Sequence, residues 1–389
     1  MGLHIAIDGR TLGDHYPGIG RYLWNLLRAM VPLAPDERFT LLEAEDGDNR
    51  RYPLGELEAA GVRRVQAPSR VRGLGQQLAL PRLLRELEAD VFHAPYYLTA
   101  YRTPCPLAVT VYDVIGALDP AFLPSKFDRK AYRLAMQQAV RSAAGIVTLS
   151  KVGKDGLVEH FAADPERVLV TPAAVDPGLS AAPPEAVESV RDRLGLPERY
   201  VLHVGTNKPH KNLVRLVRAW AAVREKQKAG GGDPGWKLVF AGRHDRRHPE
   251  AGDAVRELGL GNVRFLGEVA EDDLSALYTG AGLLVMPSLA EGFGLPVLEA
   301  MACGTAVACS RSVQVPPVAG AAAAYFDPED VESIAATLAR LLTNGGYRQI
   351  LADRGAGHVA QFSWDKTALQ TLRLYRRLAG GENRRLAGG

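Results

Sequence analysis

Three cysteines in 389 residues, Cys105, Cys303 and Cys309, are too few for a disulfide framework. None belongs to a CxxC pair, so a zinc ribbon is not indicated, and the expected setting is a reducing compartment. No stretch reaches the ~18 uninterrupted apolar residues of a spanning helix. No charged-then-apolar leader precedes the first strand-like run, Leu3 to Ile7, so the expected location is cytoplasmic. Excess charge is also missing: 47 basic against 44 acidic residues leave +3, and no nucleic-acid partner is expected. No short-period repeat appears. What is present, 47% hydrophobic and 23% charged residues, belongs to an ordinary globular chain long enough for two separate cores.

Short apolar runs alternate with helical stretches almost from end to end, which predicts an α/β fold of doubly wound parallel sheets. Strands are expected at Leu3 to Ile7, Phe39 to Leu42, Val62 to Val65, Val91 to His93, Leu107 to Tyr112, Ile146 to Leu149 and Val168 to Val170. The chain turns loop-like around the prolines at 172, 177, 183 and 184, and a domain boundary is placed there. The alternation restarts with Tyr200 to Val204, Lys237 to Phe240, Val263 to Leu266, Leu283 to Met286, Ala306 to Ala308 and Ala323 to Phe326. Asp327 followed by Pro328 reads as a helix N-cap. A final helix is expected from Trp364 to Leu378. Two consecutive units of this kind imply a cleft.

Three loops carry chemistry. Gly18-Ile19-Gly20 follows the first strand and opens a helix, where glycines let backbone approach an anion; a tight turn is the plain alternative. Leu23 stands where a dinucleotide fingerprint needs its third glycine, which argues against a dinucleotide-dependent oxidoreductase. In the second half, Gly205-Thr206-Asn207-Lys208-Pro209-His210-Lys211-Asn212 sets two lysines near a helix start, suited to a phosphate or simply to solvent. It lacks P-loop spacing, so ATP hydrolysis is not indicated. The third loop, after the strand ending near Pro287, carries Glu291 in a glycine-rich turn, and the helix opened by Pro296 carries Glu299. Both carboxylates fall at the carboxyl edge of the sheet, where open α/β folds bind ligands. They could accept hydrogen bonds from sugar hydroxyls, or be a solvated loop residue and a helix-dipole carboxylate.

The run EGFGLPVLEAMACGTAV beginning at Glu291 closely resembles the signature of retaining glycosyltransferases of family 4, the group 1 glycosyltransferases. GIGRY at 18–22, VGTNKPHKN at 204–212, FLGEVAEDDLSALYTGA at 265–281 and FSWDKTA at 362–368 extend the likeness over nearly the whole chain, in order. The resemblance implies a GT-B fold: two Rossmann-like domains facing across a central cleft, with a C-terminal helix crossing back to the first. The first, acceptor domain would be residues 1–178 plus 364–389, and the nucleotide-sugar donor domain residues 179–363. The implied activity moves a hexose from a GDP- or UDP-linked donor to a glycan or lipid-linked acceptor, as in bacterial polysaccharide or glycoconjugate synthesis.

Site roles implied by the resemblance follow residue by residue. Glu291 would bond hydroxyls of the transferred sugar and Glu299 the ribose. Lys211 would neutralise the diphosphate, with backbone N–H groups of Gly292, Phe293 and Gly294 and the adjoining Leu295. The region from Val263 to Leu266 would cover the base. Gly18 and Gly20 would face the cleft. Many members carry arginine where Thr206 stands, so a second cation is sought in Lys208 or Arg243. Many carry a histidine near the reacting carbon where this chain reads Val111-Tyr112-Asp113. Asp113 and Tyr112 are the local replacements; His93 is a further polar strand-end group, with a structural histidine equally open. Pro316-Pro317 and Ala173-Ala174 also depart from the pattern, without an assignable consequence.

No cofactor and no metal is expected. Asp46-Gly47-Asp48 spells a manganese-binding DxD but reads as a solvated turn. Six arginines between Arg63 and Arg85 could dock on anionic lipid or a lipid-linked acceptor, placing the protein at the inner face of the cell membrane, or form a solvated face. Two competing readings are a nucleotide-sugar epimerase or phosphorylase-type enzyme on the same architecture, and a non-catalytic nucleotide-sugar-binding protein.

Overall fold

A computed structural model describes residues 2–13, 15–44, 49, 51–71, 73–123, 125–229, 235–312 and 315–380. Thirteen strands among them form two sheets. The first contains β1 (His4–Asp8), β2 (Arg38–Glu43), β3 (Arg63–Gln66), β4 (Val91–Ala94), β5 (Leu107–Thr110), β6 (Gly145–Thr148) and β7 (Val168–Val170). The second contains β8 (Tyr200–Val204), β9 (Lys237–Ala241), β10 (Val263–Gly267), β11 (Leu283–Met286), β12 (Val307–Ser310) and β13 (Ala323–Phe326). Every pairing is parallel, in the orders β3-β2-β1-β4-β5-β6-β7 and β10-β9-β8-β11-β12-β13.

The strand sequences explain this architecture. Runs such as Leu283–Met286 and Leu107–Thr110 are buried along their whole length, as strands covered by helices on both faces must be. The edge strand β3, with Arg63 and Arg64, is largely exposed. In each sheet the winding direction reverses once, between β1 and β4 and between β8 and β11. The carboxyl ends flanking these reversals are where an open α/β sheet leaves room for a ligand.

The chain divides into two units, Met1–Ala173 with Ser363–Gly389, and Ala174–Phe362. The division falls a few residues before Gly178, the expected boundary: Pro172 is tied to the terminal helix of the first unit, and from Ser180 onward the chain is tied to the second. Ala182 N–H donates to Thr279 Oγ1 at 2.9 Å, and the Cys303 thiol donates to the Ser180 carbonyl at 3.4 Å. One core of the second unit gathers Leu216, Val217, Trp220, Leu283, Val285 and Leu338 between sheet and helices. In the first unit, Leu80, Leu84, Phe92, Val109, Met136, Val140 and Leu157 share a core.

The terminal helix Trp364–Ala379 is part of the first unit. Ser363 caps it through Lys366 N–H, and its inner face buries Trp364, Leu372, Leu374, Tyr375 and Leu378. Full burial of each such side chain stabilises by roughly 1.5–3 kcal/mol. Trp364 meets Tyr22 of helix Pro17–Met30 edge-on at 5.4 Å, and Thr367 Oγ1 donates to the Pro172 carbonyl at 2.5 Å.

One local expectation needs correcting. Asp327 caps no helix: it closes a turn by accepting from Glu329 N–H at 2.9 Å, and Asp330 caps Val331–Thr343 through Glu332 N–H. Helix Leu213–Ala229 begins after Lys211, since Asn212 at φ 59° interrupts the backbone.

Candidate active site

The loops after β8 and β11 meet at the reversal of the second sheet. Asn212 fastens them: its Nδ2 donates to the Pro287 carbonyl at 3.0 Å and to the Pro328 carbonyl at 2.7 Å. Leu289 N–H donates to the His210 carbonyl at 2.8 Å. On this frame Lys211 Nζ lies 2.8 and 2.9 Å from the two oxygens of Glu291, and Ser288 Oγ donates to the same carboxylate at 2.5 Å. The Lys211 and Glu291 side chains are only 14% and 8% exposed. Burial by itself would raise the Glu291 pKa, but the Lys211 charge and hydrogen bonds, with Ser288, hold it below its ordinary value. The two groups assigned to diphosphate and sugar are therefore each other's partners in this structure.

Behind the pair, His203 is buried, with Nδ1 3.1 Å from the Val285 carbonyl. That contact requires the proton on Nδ1, leaving Nε2 a lone pair, and Nε2 is buried with no partner among the described residues. Burial and the nearby Lys211 charge lower its pKa to about 4, so the ring is neutral at physiological pH. A side chain at Gly205 would press to 3.2 Å from His203 Nε2.

Glycine is also required next door. Gly242 has φ 136°, and a Cβ there would fall 2.2 Å from the Gly205 carbonyl oxygen. Its N–H donates to the Gly267 carbonyl at 2.7 Å, and Gly205 N–H donates to Ala241 at 2.9 Å. The ends of β8, β9 and β10 thus form a ledge without side chains, bordered by exposed Lys208 and Arg243 and half-exposed Thr206. Asn207 holds the outer loop: its Nδ2 donates to the carbonyls of Asp245 and His248 at 2.9 and 2.6 Å, and its Oδ1 accepts from Asp245 N–H at 2.7 Å.

Helix Leu295–Ala302 opens from Gly294 at φ 97°, with open space where a Cβ would stand and no side-chain cap. Its first-turn N–H groups, adjoining Gly292 and Phe293, form a potential anion-binding end. Glu299 is buried inside this helix and accepts from Tyr278 OH at 2.6 Å.

In the first unit several expected positions turn inward. His93 is fully buried, with Nε2 2.8 Å from Thr110 Oγ1 and Nδ1 2.5 Å from Tyr375 OH; burial lowers its pKa to about 4. It joins the terminal helix to the sheet and is not presented to a ligand. Tyr112 keeps its hydroxyl buried without a partner among the described residues, its ring lies edge-on to Tyr22 at 5.3 Å, and burial raises its pKa well above the usual phenol range. Gly20 is buried; a Cβ there would lie 3.0 Å from the Tyr52 hydroxyl and 3.1 Å from the Thr11 carbonyl, so it serves packing. Gly18 alone of that pair is exposed, with open space around it. Asp113 is half-buried and accepts from Ile115 N–H at 3.0 Å. Asp46-Gly47-Asp48 lies outside the described residues.

Sequence reasoning missed Asp8 and Arg10 at the end of β1. Arg10 donates to both Asp8 oxygens at 2.8 and 2.6 Å, to the Ser69 carbonyl at 3.0 Å and to Gln76 Oε1 at 3.1 Å. This buried network fixes the segment after β3 against the reversal of the first sheet. The signal available was an Asp-x-Arg at a strand end, which does not distinguish a ligand site from a structural pair.

Two family models match in tandem: "Glycosyl transferase 4-like domain" over residues 17–174, and "Glycosyl transferases group 1" over residues 188–358. The chain is 30% identical over 299 residues to O-antigen chain mannosyltransferase B of Escherichia coli, covering 76% of each chain. It is 33% identical over 314 residues to the D-inositol 3-phosphate glycosyltransferase of Salinispora arenicola, covering 74% of this chain and 68% of the relative. Among solved structures, Anabaena HepE in complex with UDP and glucose superposes with a TM-score of 0.73 at 20% identity, covering 97% of this chain and all of that one. The chain belongs to the group 1 glycosyltransferases of family 4 type, with the GT-B fold. It is a glycosyltransferase; Lys211, Glu291 and Glu299 all lie within the group 1 match.

Proposed function

We propose that the enzyme transfers a hexose from a GDP- or UDP-linked donor to a glycan or lipid-linked acceptor, with retention of anomeric configuration and without a divalent metal. The observation that carries this reading is the Lys211–Glu291 pair at the β8/β11 reversal, with Glu291 on the short turn that leads into the uncapped start of helix Leu295–Ala302. The donor's diphosphate takes the Lys211 ammonium and the N–H groups from Gly292 to Leu295, with Lys208 or Arg243 as second cation. Glu291, released from Lys211, accepts from the sugar hydroxyls. Glu299, held by Tyr278, accepts from the ribose. Charge building on the departing phosphate meets donors already in place, each worth about 2.7–4 kcal/mol in comparable anionic sites.

Retention follows a front-face route in this proposal. The bond from the anomeric carbon to the diphosphate oxygen breaks, the acceptor oxygen bonds to the same face, and the departing phosphate takes the acceptor's proton. Asp113 orients the acceptor and forms no covalent adduct. The Escherichia coli relative, named for O-antigen mannosyl transfer, supports a hexose and a polysaccharide product.

A thermal-shift screen of nucleotide sugars tests the donor. At 100 times its Kd the right one adds about 2.7 kcal/mol of stability. Stabilisation by GDP- or UDP-sugars in the wild type and its loss in Lys211→Ala are expected. A donor that stabilises Lys211→Ala as strongly as the wild type would refute the assignment.

A further inference from the structure

Helix Lys126–Ser142 in the first unit has two different faces. Met136, Ala139 and Val140 pack inward into the core. Outward, Phe127, Ala131 and Leu134 fall at four- and seven-residue spacing on one stripe. Phe127 is 80% and Leu134 57% exposed, and their sharing one stripe, not the exposure of either alone, is the informative feature. Exposed Lys126, Lys130, Arg133 and Arg141 flank the stripe, none in an ion pair among the described residues. The helix's one acid, Asp128, is engaged by its capping residue Ser125 at 2.6 Å.

A second stripe lies on the same face of the sheet. The connections β3 to β4 and β5 to β6 cross the sheet in the same direction, so right-handed crossovers place their helices, Gln76–Glu86 and Lys126–Ser142, on one side. Leu80 and Leu84 of the first share a core with Met136 and Val140 of the second. Leu78, on the outer side of the first, and Leu74, in the turn just before it, stand 82% and 91% exposed. The arginine run between Arg63 and Arg85 supplies less free charge than its composition implies. Arg64 is bound to Glu43 and Glu58, Arg82 is bound to Glu86 at 2.9 Å, and Arg72 lies outside the described residues.

We propose that this face of the first unit is a docking surface for an anionic lipid bilayer, centred on helix Lys126–Ser142. Phe127, Leu134, Leu74 and Leu78 enter the headgroup–acyl boundary, and Lys126, Lys130, Arg133 and Arg141 meet lipid phosphates. An apolar stripe edged by cations is the pattern of an in-plane interfacial helix. The excess of unpaired cations selects anionic lipid over a neutral apolar partner. The inference deepens the proposed lipid-linked acceptor by naming the surface that would reach it, and lipid binding is measured without donor or acceptor.

The test is flotation of the full chain with vesicles of phosphatidylcholine alone and of phosphatidylcholine mixed with phosphatidylglycerol. Binding to the mixed vesicles only, reversed by high salt, is expected. Lys130→Ala and Arg133→Ala should each weaken binding about fivefold, and Phe127→Ala with Leu134→Ala should abolish stable flotation. Circular dichroism confirms that these surface variants fold. Equal binding to neutral vesicles, flotation unchanged in the variants, or a wild-type dimer that Phe127→Ala dissociates would each overturn the proposal. Transfer to a water-soluble acceptor should remain at wild-type level in all of them. Absence of transfer in the wild type would instead count against the proposed function and leave the flotation result standing.

Discussion

Replacing Lys211 by methionine removes the charge while keeping most of the side-chain volume, and it leaves Glu291 enclosed with Ser288 as its remaining close partner among the contacts described above. Breaking a buried ion pair on one side costs roughly 3–5 kcal/mol. With Lys211 14% exposed, the lower end, about 3 kcal/mol, is the appropriate figure. For a unit of this size that corresponds to a fall in Tm of roughly 6–12 °C. The pH dependence should change sign as well. In the wild type the depressed Glu291 pKa contributes stability that is present above the unfolded value of about 4.5 and lost as pH falls through the folded value. In Lys211→Met the largest opposing contribution is gone, and burial, only partly offset by the Ser288 hydrogen bond and the nearby His210, raises that pKa. The variant should then lose stability as pH rises from 4.5, the window in which the wild type holds it. Thermal and urea melts across pH for the wild type, Lys211→Met, Glu291→Gln and the double variant provide the assay. The double variant, with neither charge, should be more stable than Lys211→Met. Equal stabilities for those two, or parallel pH profiles for wild type and Lys211→Met, would refute the buried-pair reasoning.

Further outcomes follow from other contacts. Gly242→Ala forces a Cβ to 2.2 Å from the Gly205 carbonyl at a positive φ, and should lower stability by about 1–3 kcal/mol and weaken donor binding in calorimetry. Tyr375→Phe leaves buried His93 Nδ1 without its partner and should cost about 1–3 kcal/mol in melts, with activity per folded molecule unchanged; selective loss of kcat would restore His93 to the catalytic machinery. Tyr278→Phe removes the hydroxyl that holds Glu299 and should raise KM for the donor more than it lowers kcat in steady-state assays. Chelation should leave transfer intact; complete loss rescued by manganese would contradict the proposed metal independence.

The strands were the legible part of this fold, because even the partly buried ones are written as short runs dominated by apolar residues. Val168–Val170, Tyr200–Val204, Leu283–Met286 and Ala323–Phe326 begin and end where the sequence reading put them. Helices with weak apolar periodicity were not. Gly345–Val359 opens with two glycines and carries Gly355 and Gly357, and Pro184–Leu194 begins within the proline-rich stretch read as a linker. Glu291 and Lys211 were legible as a pair of motifs, but their mutual hydrogen bonds join loops 80 residues apart and cannot be read from spacing. Asn207 and Asn212 act through main-chain carbonyls in distant loops, which no local pattern encodes. His93 and Tyr112 show the reverse limit: a polar residue at a strand end reads alike whether its polar atoms face a ligand or, as here, lie buried.

The most direct measurement is a structure of the enzyme soaked with an intact GDP- or UDP-hexose. The account predicts the diphosphate within hydrogen-bond distance of Lys211 Nζ and the N–H groups opening helix Leu295–Ala302, with Glu291 turned from Lys211 to the hexose hydroxyls. A donor bound elsewhere, with Lys211 and Glu291 still joined through both carboxylate oxygens, would contradict it.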